Sequence, residues 1–161
     1  MEPDPQLPRS IVDASVAVKW YLRDEDDLTA ADTLLTDFRE DRIQLVAPEH
    51  IRYEVPSAFR NAMRTNRLTL EQVRRAIAGF LAWPITTVRD DDVILAASDQ
   101  AVRFGCSFYD GLYLALAEST QHPFVHADLR LRNALGTQFP LAIWLGDYAS
   151  QTQAGDGIAS G

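Results

Sequence analysis

Short apolar segments alternate along the chain with longer segments in which apolar residues recur at helical spacing. The short segments predict five strands, near residues 10–13, 43–47, 85–88, 124–128 and 141–145. Helical spacing fills the intervals, over residues 28–38, 49–65, 69–82, 90–104 and 107–119, with a short helix ending at Leu135. This alternation predicts an α/β domain whose mostly parallel sheet is covered by helices on both faces.

Several polar residues mark where the predicted helices begin and end. Ser15 is the expected N-cap of a first helix directly after the first strand. Thr69 and Gln72 have the spacing of a capping box, and Gly105 is the expected C-terminal stop of the helix before it. Ser107 is the expected N-cap of the next helix.

The chain length of 161 residues suits one domain, which we place at residues 10–148. Residues 1–9 are rich in proline and residues 149–161 in small polar residues, so we expect both ends to be disordered. With no signal-like start, no long apolar run and the single cysteine Cys106, the sequence predicts a soluble cytoplasmic protein without disulfides.

Acidic residues outnumber basic ones, 23 to 15, which gives a formal net charge of −8. This charge argues against a broad basic face for binding polyanions. It does not exclude a nuclease, because a nuclease can gather carboxylates around a metal ion and cluster its arginines elsewhere.

Four acidic residues stand at positions where they could meet. Asp13 and Asp128 end predicted strands, and ligand sites of open parallel sheets lie beyond the carboxyl ends of the strands. Asp110 falls in the first turn after Ser107, and Glu54 lies beside apolar residues of a predicted helix. Each acid taken singly also fits a helix cap or a surface charge.

Four converging carboxylates would repel one another by a few kcal/mol per close pair, so a cation would have to lie among them. Oxygen ligands without a cysteine or histidine cluster favour Mg²⁺ or Mn²⁺. Such an ion can orient a phosphodiester and lower the pKa of an attacking water.

Four sequence blocks together resemble the PIN-domain proteins of the VapC toxin type, the ribonuclease components of type II toxin–antitoxin modules. The blocks are IVDASVAVKWYL, APEHIRYEVPSAFR, SFYDGLYLALAE and FVHADLRLRNAL, and the resemblance spans residues 11–147. It implies a three-layer α/β/α domain with a five-stranded sheet of order 3-2-1-4-5. It also implies a Mg²⁺ or Mn²⁺ site formed by four acids.

The resemblance transfers those acids to Asp13, Glu54, Asp110 and Asp128. Asp13 and Asp110 are implied as the most direct metal ligands, with Glu54 and Asp128 completing the pocket. Ser15 matches a position where a hydroxyl supports the site.

The histidines are interpreted differently. His126 replaces the usual Thr or Ser two residues before the fourth acid, and we expect it to support the site from the same face of a strand as Asp128. A phosphate contact or a proton relay through His126 is the alternative. His50 and His122 belong to no motif and are assigned to the surface or to loops.

Rival activities lack the residues that they need. No G-x-G-x-x-G follows the first strand, and no G-x-S-x-G is present. A phospho-accepting receiver domain also has an acidic pocket on a doubly wound sheet, but it needs a lysine late in the chain. The one lysine here is Lys19.

Arg60, Arg64 and Arg67 recur at helical spacing and could hold an RNA backbone, although a solvated face or a protein contact explains them equally well. The family resemblance implies a homodimer and a cognate VapB-type antitoxin. The predicted function is therefore a metal-dependent endoribonuclease toxin that cleaves RNA. The alternative is a PIN-like module that binds RNA or protein without cleaving.

Overall fold

A single parallel sheet forms the centre of the molecule in the computed structural model, which describes residues 7–150. The strands are β1 (Arg9–Val12), β2 (Gln44–Pro48), β3 (Thr86–Val88), β4 (Phe124–His126) and β5 (Ala142–Trp144). They lie in the order β3-β2-β1-β4-β5, and every pairing is parallel. The predicted α/β class and strand order are confirmed. The expectation of disorder over residues 1–9 and 149–161 lies largely outside the described residues; within them, Arg9 belongs to β1 and the Ser150 hydroxyl donates to Asp37.

Within residues 7–150, seven α-helices connect the strands. They are α1 (Ala14–Ala17), α2 (Leu28–Arg39), α3 (Ile51–Arg64), α4 (Leu70–Ala82), α5 (Asp91–Phe104), α6 (Phe108–Thr120) and α7 (Leu129–Leu135). A 3₁₀ turn over Val18–Trp20 continues α1. Within residues 7–150, no helix has both the length and the apolar character that crossing a bilayer requires.

The helix ends follow the sequence signals with one exception. Thr69 and Gln72 form a capping box, and Gly105 ends α5 in the left-handed conformation. The N-cap of α1 is Asp13, whose carboxylate accepts the backbone N–H of Ser15 at 3.0 Å, so the prediction of Ser15 as N-cap was wrong. Aspartate is as favourable an N-cap as serine, because its carboxylate accepts a backbone N–H of the first turn that has no partner within the helix.

Strands β1 and β4 lie side by side at the centre of the sheet. Ile11 is aligned with Phe124 and Val12 with Val125, and all four side chains are fully buried. The chain order reverses between these two strands, which is the switch point where open α/β sheets bind their ligands. The residues that follow β1 and β4 therefore lie at the expected place for a site.

Helices α5 and α6 approach each other closely at Gly111. A Cβ atom at this position would lie 2.2 Å from the carbonyl oxygen of Ala97, a distance that no real contact reaches. Glycine thus permits the two backbones to pack together, and this packing places the first turn of α6 against α5.

Candidate active site

Asp13 is the buried carboxylate at the carboxyl end of β1. Only 7% of the residue is exposed. The pKa of Asp13 is raised from 3.8 to about 7: burial is the largest cause, the nearby carboxylates of Glu54 and Asp110 act in the same direction, and the hydrogen bonds from Ser15 oppose the shift. The charged form of Asp13 is therefore disfavoured unless a cation lies beside it.

Ser15 connects the ends of the two central strands. Its backbone N–H donates to Asp13, and its hydroxyl accepts the backbone N–H of Ala127 at 2.9 Å. Ala127 lies between β4 and α7, so one serine ties the start of α1 to the loop that follows β4. This position is consistent with the supporting role predicted for the Ser15 hydroxyl.

Glu54 reaches the same region from α3. The hydroxyl of Tyr113 donates to its Oε1 at 2.7 Å, and Nε2 of His50 lies 3.3 Å from the same oxygen. Burial raises the pKa of Tyr113 well above its ordinary value, and the carboxylates of Asp13 and Glu54 act in the same direction. Tyr113 therefore keeps its proton and acts as a donor.

Asp110 lies in the first turn of α6. Its Oδ2 accepts the backbone N–H of Ser107 at 3.1 Å, while the Ser107 hydroxyl accepts the backbone N–H of Asp110 at 3.0 Å. This reciprocal capping box fixes one oxygen of the carboxylate and thereby the orientation of the whole group. The carboxylate still acts electrostatically on Asp13.

Asp128 has a different environment from the other three acids. It is the N-cap of α7, and its Oδ1 accepts the backbone N–H groups of Arg130 at 2.8 Å and Leu131 at 3.2 Å. It does not lie on β4, which ends at His126, so the expectation that the two residues share a strand face was wrong. Asp13 interacts with Glu54 and with Asp110, whereas Asp128 interacts with His126, on which Asp110 also acts.

His126 is buried at the end of β4, where only 2% of it is exposed. Burial lowers the pKa of His126, and the neighbouring Asp128 carboxylate opposes the shift. Its ring stacks on Phe124 at 5.4 Å and meets Trp144 edge-on at 5.8 Å. A buried, neutral ring held by aromatic contacts fits the supporting role that the sequence predicts.

The chemistry of the oxygen donors fits a hard divalent cation. Asp13, Glu54 and Asp110 form no ion pair with an arginine or lysine within residues 7–150, and their mutual repulsion calls for a positive charge. In that same part of the chain, no group of three or more His, Cys, Asp or Glu side chains is arranged so that it could hold a metal ion. What relates Glu54 and Asp110 to Asp13 is the electrostatic effect of their carboxylates on it.

The three candidate arginines are not equivalent. Arg67 forms ion pairs with Asp24 and Glu25, with 2.7 Å between Nη2 and Asp24 Oδ1. Arg60 and Arg64 are exposed on α3. Arg60 follows Glu54 by six residues, which places the two side chains roughly 120° apart around the helix axis, so Arg60 projects from a different face.

Two residues of the site were missed in the sequence. His50 was assigned to the surface or a loop without a role; it lies in the turn before α3, only 15% of its side chain is exposed, and its ring packs against Tyr109 and Tyr113. The spacing of i to i+4 between His50 and Glu54 was a usable signal. Tyr113 follows Asp110 by three residues and so shares its side of α6, which was the corresponding signal.

Comparison with known proteins places this arrangement in a family. Residues 10–135 match the PIN domain, which is well over half of the chain. The chain is 30% identical over 135 residues to VapC ribonuclease Mb0985 of Mycobacterium bovis, covering 83% of this chain and 96% of that relative. Ribonuclease VapC9 of Mycobacterium tuberculosis matches with the same identity and coverage.

Two solved structures have a similar fold. PAE2754 from Pyrobaculum aerophilum superposes with a TM-score of 0.63 at 20% sequence identity, covering 87% of this chain and 92% of that one. VapBC2 from Rickettsia felis, bound to a DNA fragment from their promoter, gives a TM-score of 0.57 at 10% identity, covering 84% of this chain and 96% of that one. At these identities the likeness concerns the fold alone.

Proposed function

Because this chain belongs to the PIN domain family, in its VapC branch, we propose that it is an endoribonuclease that hydrolyses RNA phosphodiester bonds with a divalent cation. The observation that carries the proposal is the buried Asp13 carboxylate, which the carboxylates of Glu54 and Asp110 repel and which no basic side chain of residues 7–150 pairs with. A charged carboxylate in this position destabilises the fold unless a cation lies beside it.

Asp13 and Asp110 are the residues that would hold Mg²⁺ or Mn²⁺ most directly, with Glu54 and Asp128 completing the site. The cation would supply charge neutralisation, orientation of the phosphodiester and a lower pKa for the attacking water. The chain itself contributes fixed geometry: Ser107 orients Asp110, Ser15 orients Asp13, and the α7 N-terminus orients Asp128. Such preorganised ligands need little rearrangement when the cation and RNA bind.

The surface beside the acids favours unpaired RNA as the substrate. Tyr53 and Tyr109 are 73% and 57% exposed, and each is the chain neighbour of a site acid. Leu129, the neighbour of Asp128, is also exposed. Exposed rings can stack on bases of single strands and loops, which RNA-binding proteins recognise in this way.

We also propose that the protein is the toxin of a toxin–antitoxin pair, bound by a VapB-type antitoxin, and that it forms a homodimer. The likeness to VapC relatives and to the fold of VapBC2 supports the antitoxin. Co-expression with the protein encoded beside it, followed by measurement of complex mass and of cleavage, tests this proposal. Undiminished RNA cleavage in the presence of that protein would contradict the proposal.

The central experiment measures cleavage of labelled RNAs by the purified protein in Mg²⁺, in Mn²⁺ and in EDTA. The variants Asp13→Asn and Asp110→Asn should be inactive, which excludes a contaminating ribonuclease. Asp99→Asn, which removes an exposed carboxylate of α5, should retain wild-type activity and controls for the loss of a carboxylate as such. If wild type and both site variants cleave alike, the proposal is wrong. RNA binding without cleavage by the wild type would support the non-cleaving binding module instead.

A further inference from the structure

Glu54 is held by a side chain that arrives from a different element. Tyr113 lies on α6, 59 residues further along the chain, and its hydroxyl donates to Glu54 Oε1 at 2.7 Å. Tyr113 is fully buried, so its hydroxyl has no access to solvent and the carboxylate is the acceptor that satisfies it. The bond engages one oxygen of Glu54 and leaves Oε2 available.

The ring of Tyr113 is itself immobilised on both sides. It stacks on Phe124 with 5.4 Å between centroids and 15° between planes, and His50 meets it edge-on at 5.0 Å. Phe124 in turn stacks on His126. A phenol held in this way is a rigid reference point, because moving its hydroxyl would disturb a run of buried rings that continues along β4.

His50 forms the other side of this support. Its Nε2 lies 3.3 Å from Glu54 Oε1, without the alignment of a hydrogen bond, and its ring packs on Tyr109 at 5.2 Å. Neither ring nitrogen has a hydrogen-bond partner among the described residues. His50 therefore confines the Glu54 carboxylate by contact, whereas Tyr113 orients it by a directed bond.

We propose that Tyr113 is a positioning residue of the cation site, which sets the direction of the Glu54 carboxylate with His50 as the second wall. The inference rests on the proposed function, since it assumes that a cation binds among Asp13, Glu54 and Asp110. Groups that orient a metal-binding carboxylate change metal affinity by about 10- to 100-fold when they are removed. Tyr113 thus sets the affinity for the cation without touching the RNA.

The test compares Tyr113→Phe with wild type by calorimetric titration with Mn²⁺ and by RNA cleavage over a range of Mn²⁺ concentrations. Removal of one hydroxyl retains the ring stack, so the variant should fold. We expect the Kd for Mn²⁺ to rise about 10- to 100-fold. The kcat at saturating Mn²⁺ and the KM for RNA should remain close to wild type.

Tyr21→Phe is the matched control, because it also removes the hydroxyl of a half-buried tyrosine. That hydroxyl accepts the indole N–H of Trp83 at 2.9 Å. It should lower stability without changing the Kd for Mn²⁺. His50→Ala should raise this Kd less than Tyr113→Phe does, and His50→Gln should restore part of the loss. An unchanged Kd in a folded Tyr113→Phe protein overturns the inference.

Asp13→Asn separates the inference from the function on which it rests. If wild type binds Mn²⁺ and Asp13→Asn does not, the cation site is present, and an unaffected Tyr113→Phe variant then contradicts the positioning role alone. If wild type binds no Mn²⁺, or binds it equally well after Asp13→Asn, both the proposed cation site and the role of Tyr113 are wrong.

Discussion

Carboxylates gather in two regions of this molecule, the carboxylate site of Asp13, Glu54 and Asp110 and the salt-bridged loop of residues 24–27. In the loop, Asp24 and Glu25 pair with Arg67, and Lys19 lies 3.5 Å from Glu25. Hydrogen bonding to Arg67 lowers the pKa of Asp24, whereas burial raises that of Asp13 to about 7. Both regions are negatively charged. In the loop, Lys19 and Arg67 supply positive charge, whereas no arginine or lysine of residues 7–150 pairs with the carboxylate site.

Burial alone does not explain this difference. Asp37 is completely buried, yet it accepts hydrogen bonds from Arg42 at 2.9 Å and from the Tyr148 hydroxyl at 2.8 Å. Asp13 is nearly as buried and accepts a backbone N–H. Acids such as Asp24, Glu25 and Asp37 are paired with arginines of the fold, whereas Asp13, Glu54 and Asp110 pair with no arginine or lysine of residues 7–150.

The strongest test of this contrast removes one carboxylate from each region. Asp13→Asn should lower cleavage by about a thousand-fold or more, since losing the cation forfeits several kcal/mol of charge stabilisation. Asp24→Asn should leave cleavage unchanged and reduce stability slightly. Rates of RNA cleavage at saturating Mn²⁺, with folding checked by circular dichroism, decide the matter. Equal losses in the two variants would remove the distinction between the regions.

The pH dependence of stability should also reveal the carboxylate site. Because folding raises the pKa of Asp13 from 3.8 to about 7, the folded state binds its proton more tightly than the unfolded state does. Without metal, this contribution is complete below pH 3.8 and is lost as the pH rises to 7, by about 4 kcal/mol at most.

Urea unfolding in EDTA at several pH values measures this change. Asp13→Asn should abolish this part of the dependence and should be more stable than wild type at pH 8, because asparagine caps α1 equally well without the repelled charge. A wild-type protein whose stability stays constant over this range would contradict the raised pKa.

Addition of Mg²⁺ should stabilise wild type and leave Asp13→Asn unaffected. A ligand that binds the folded state alone contributes about 2.7 kcal/mol when its concentration is a hundred times Kd. The unfolding temperature at increasing Mg²⁺ measures this effect, and Ca²⁺-free buffers with matched ionic strength control for general salt effects. Equal stabilisation of both proteins would locate the bound ion elsewhere.

The smallest effect is expected in the salt-bridged loop. Arg67→Gln should reduce stability a little, and salt should shrink the difference, because exposed ion pairs are weak and screened. The KM for RNA should not change, since Arg67 is already occupied by Asp24 and Glu25. A clear rise in KM would restore Arg67 as an RNA contact.

The sequence predicts those features whose causes are local. The capping box of Thr69 and Gln72, the stop at Gly105 and the Ser107–Asp110 pair each depend on residues a few positions apart, and all are present. The strand segments follow from their apolar runs, and the strand order follows from the resemblance to a family. One boundary was misjudged at α1, where Asp13 takes the capping position.

The long-range contacts could not be read from the sequence. Tyr113 and Glu54 are 59 residues apart and Arg67 and Asp24 are 43 apart, and periodicity shows which face a residue occupies but not what lies opposite. The same limit explains why the three candidate arginines looked alike. Arg67 became distinguishable from Arg60 and Arg64 only when the loop of residues 24–27 was placed beside it.

The close contact at Gly111 also limits how the sequence beside the carboxylate site can vary. A side chain at position 111, next to Asp110, would collide with the Ala97 carbonyl. Helix α6 can therefore pack against α5 only if this residue is glycine. Substitution of Gly111 would therefore have two effects: it would loosen the packing of α5 against α6, and it would displace Asp110. In related proteins that cleave RNA, we expect a residue other than glycine at position 111 only where the backbone of α5 is shifted away from α6.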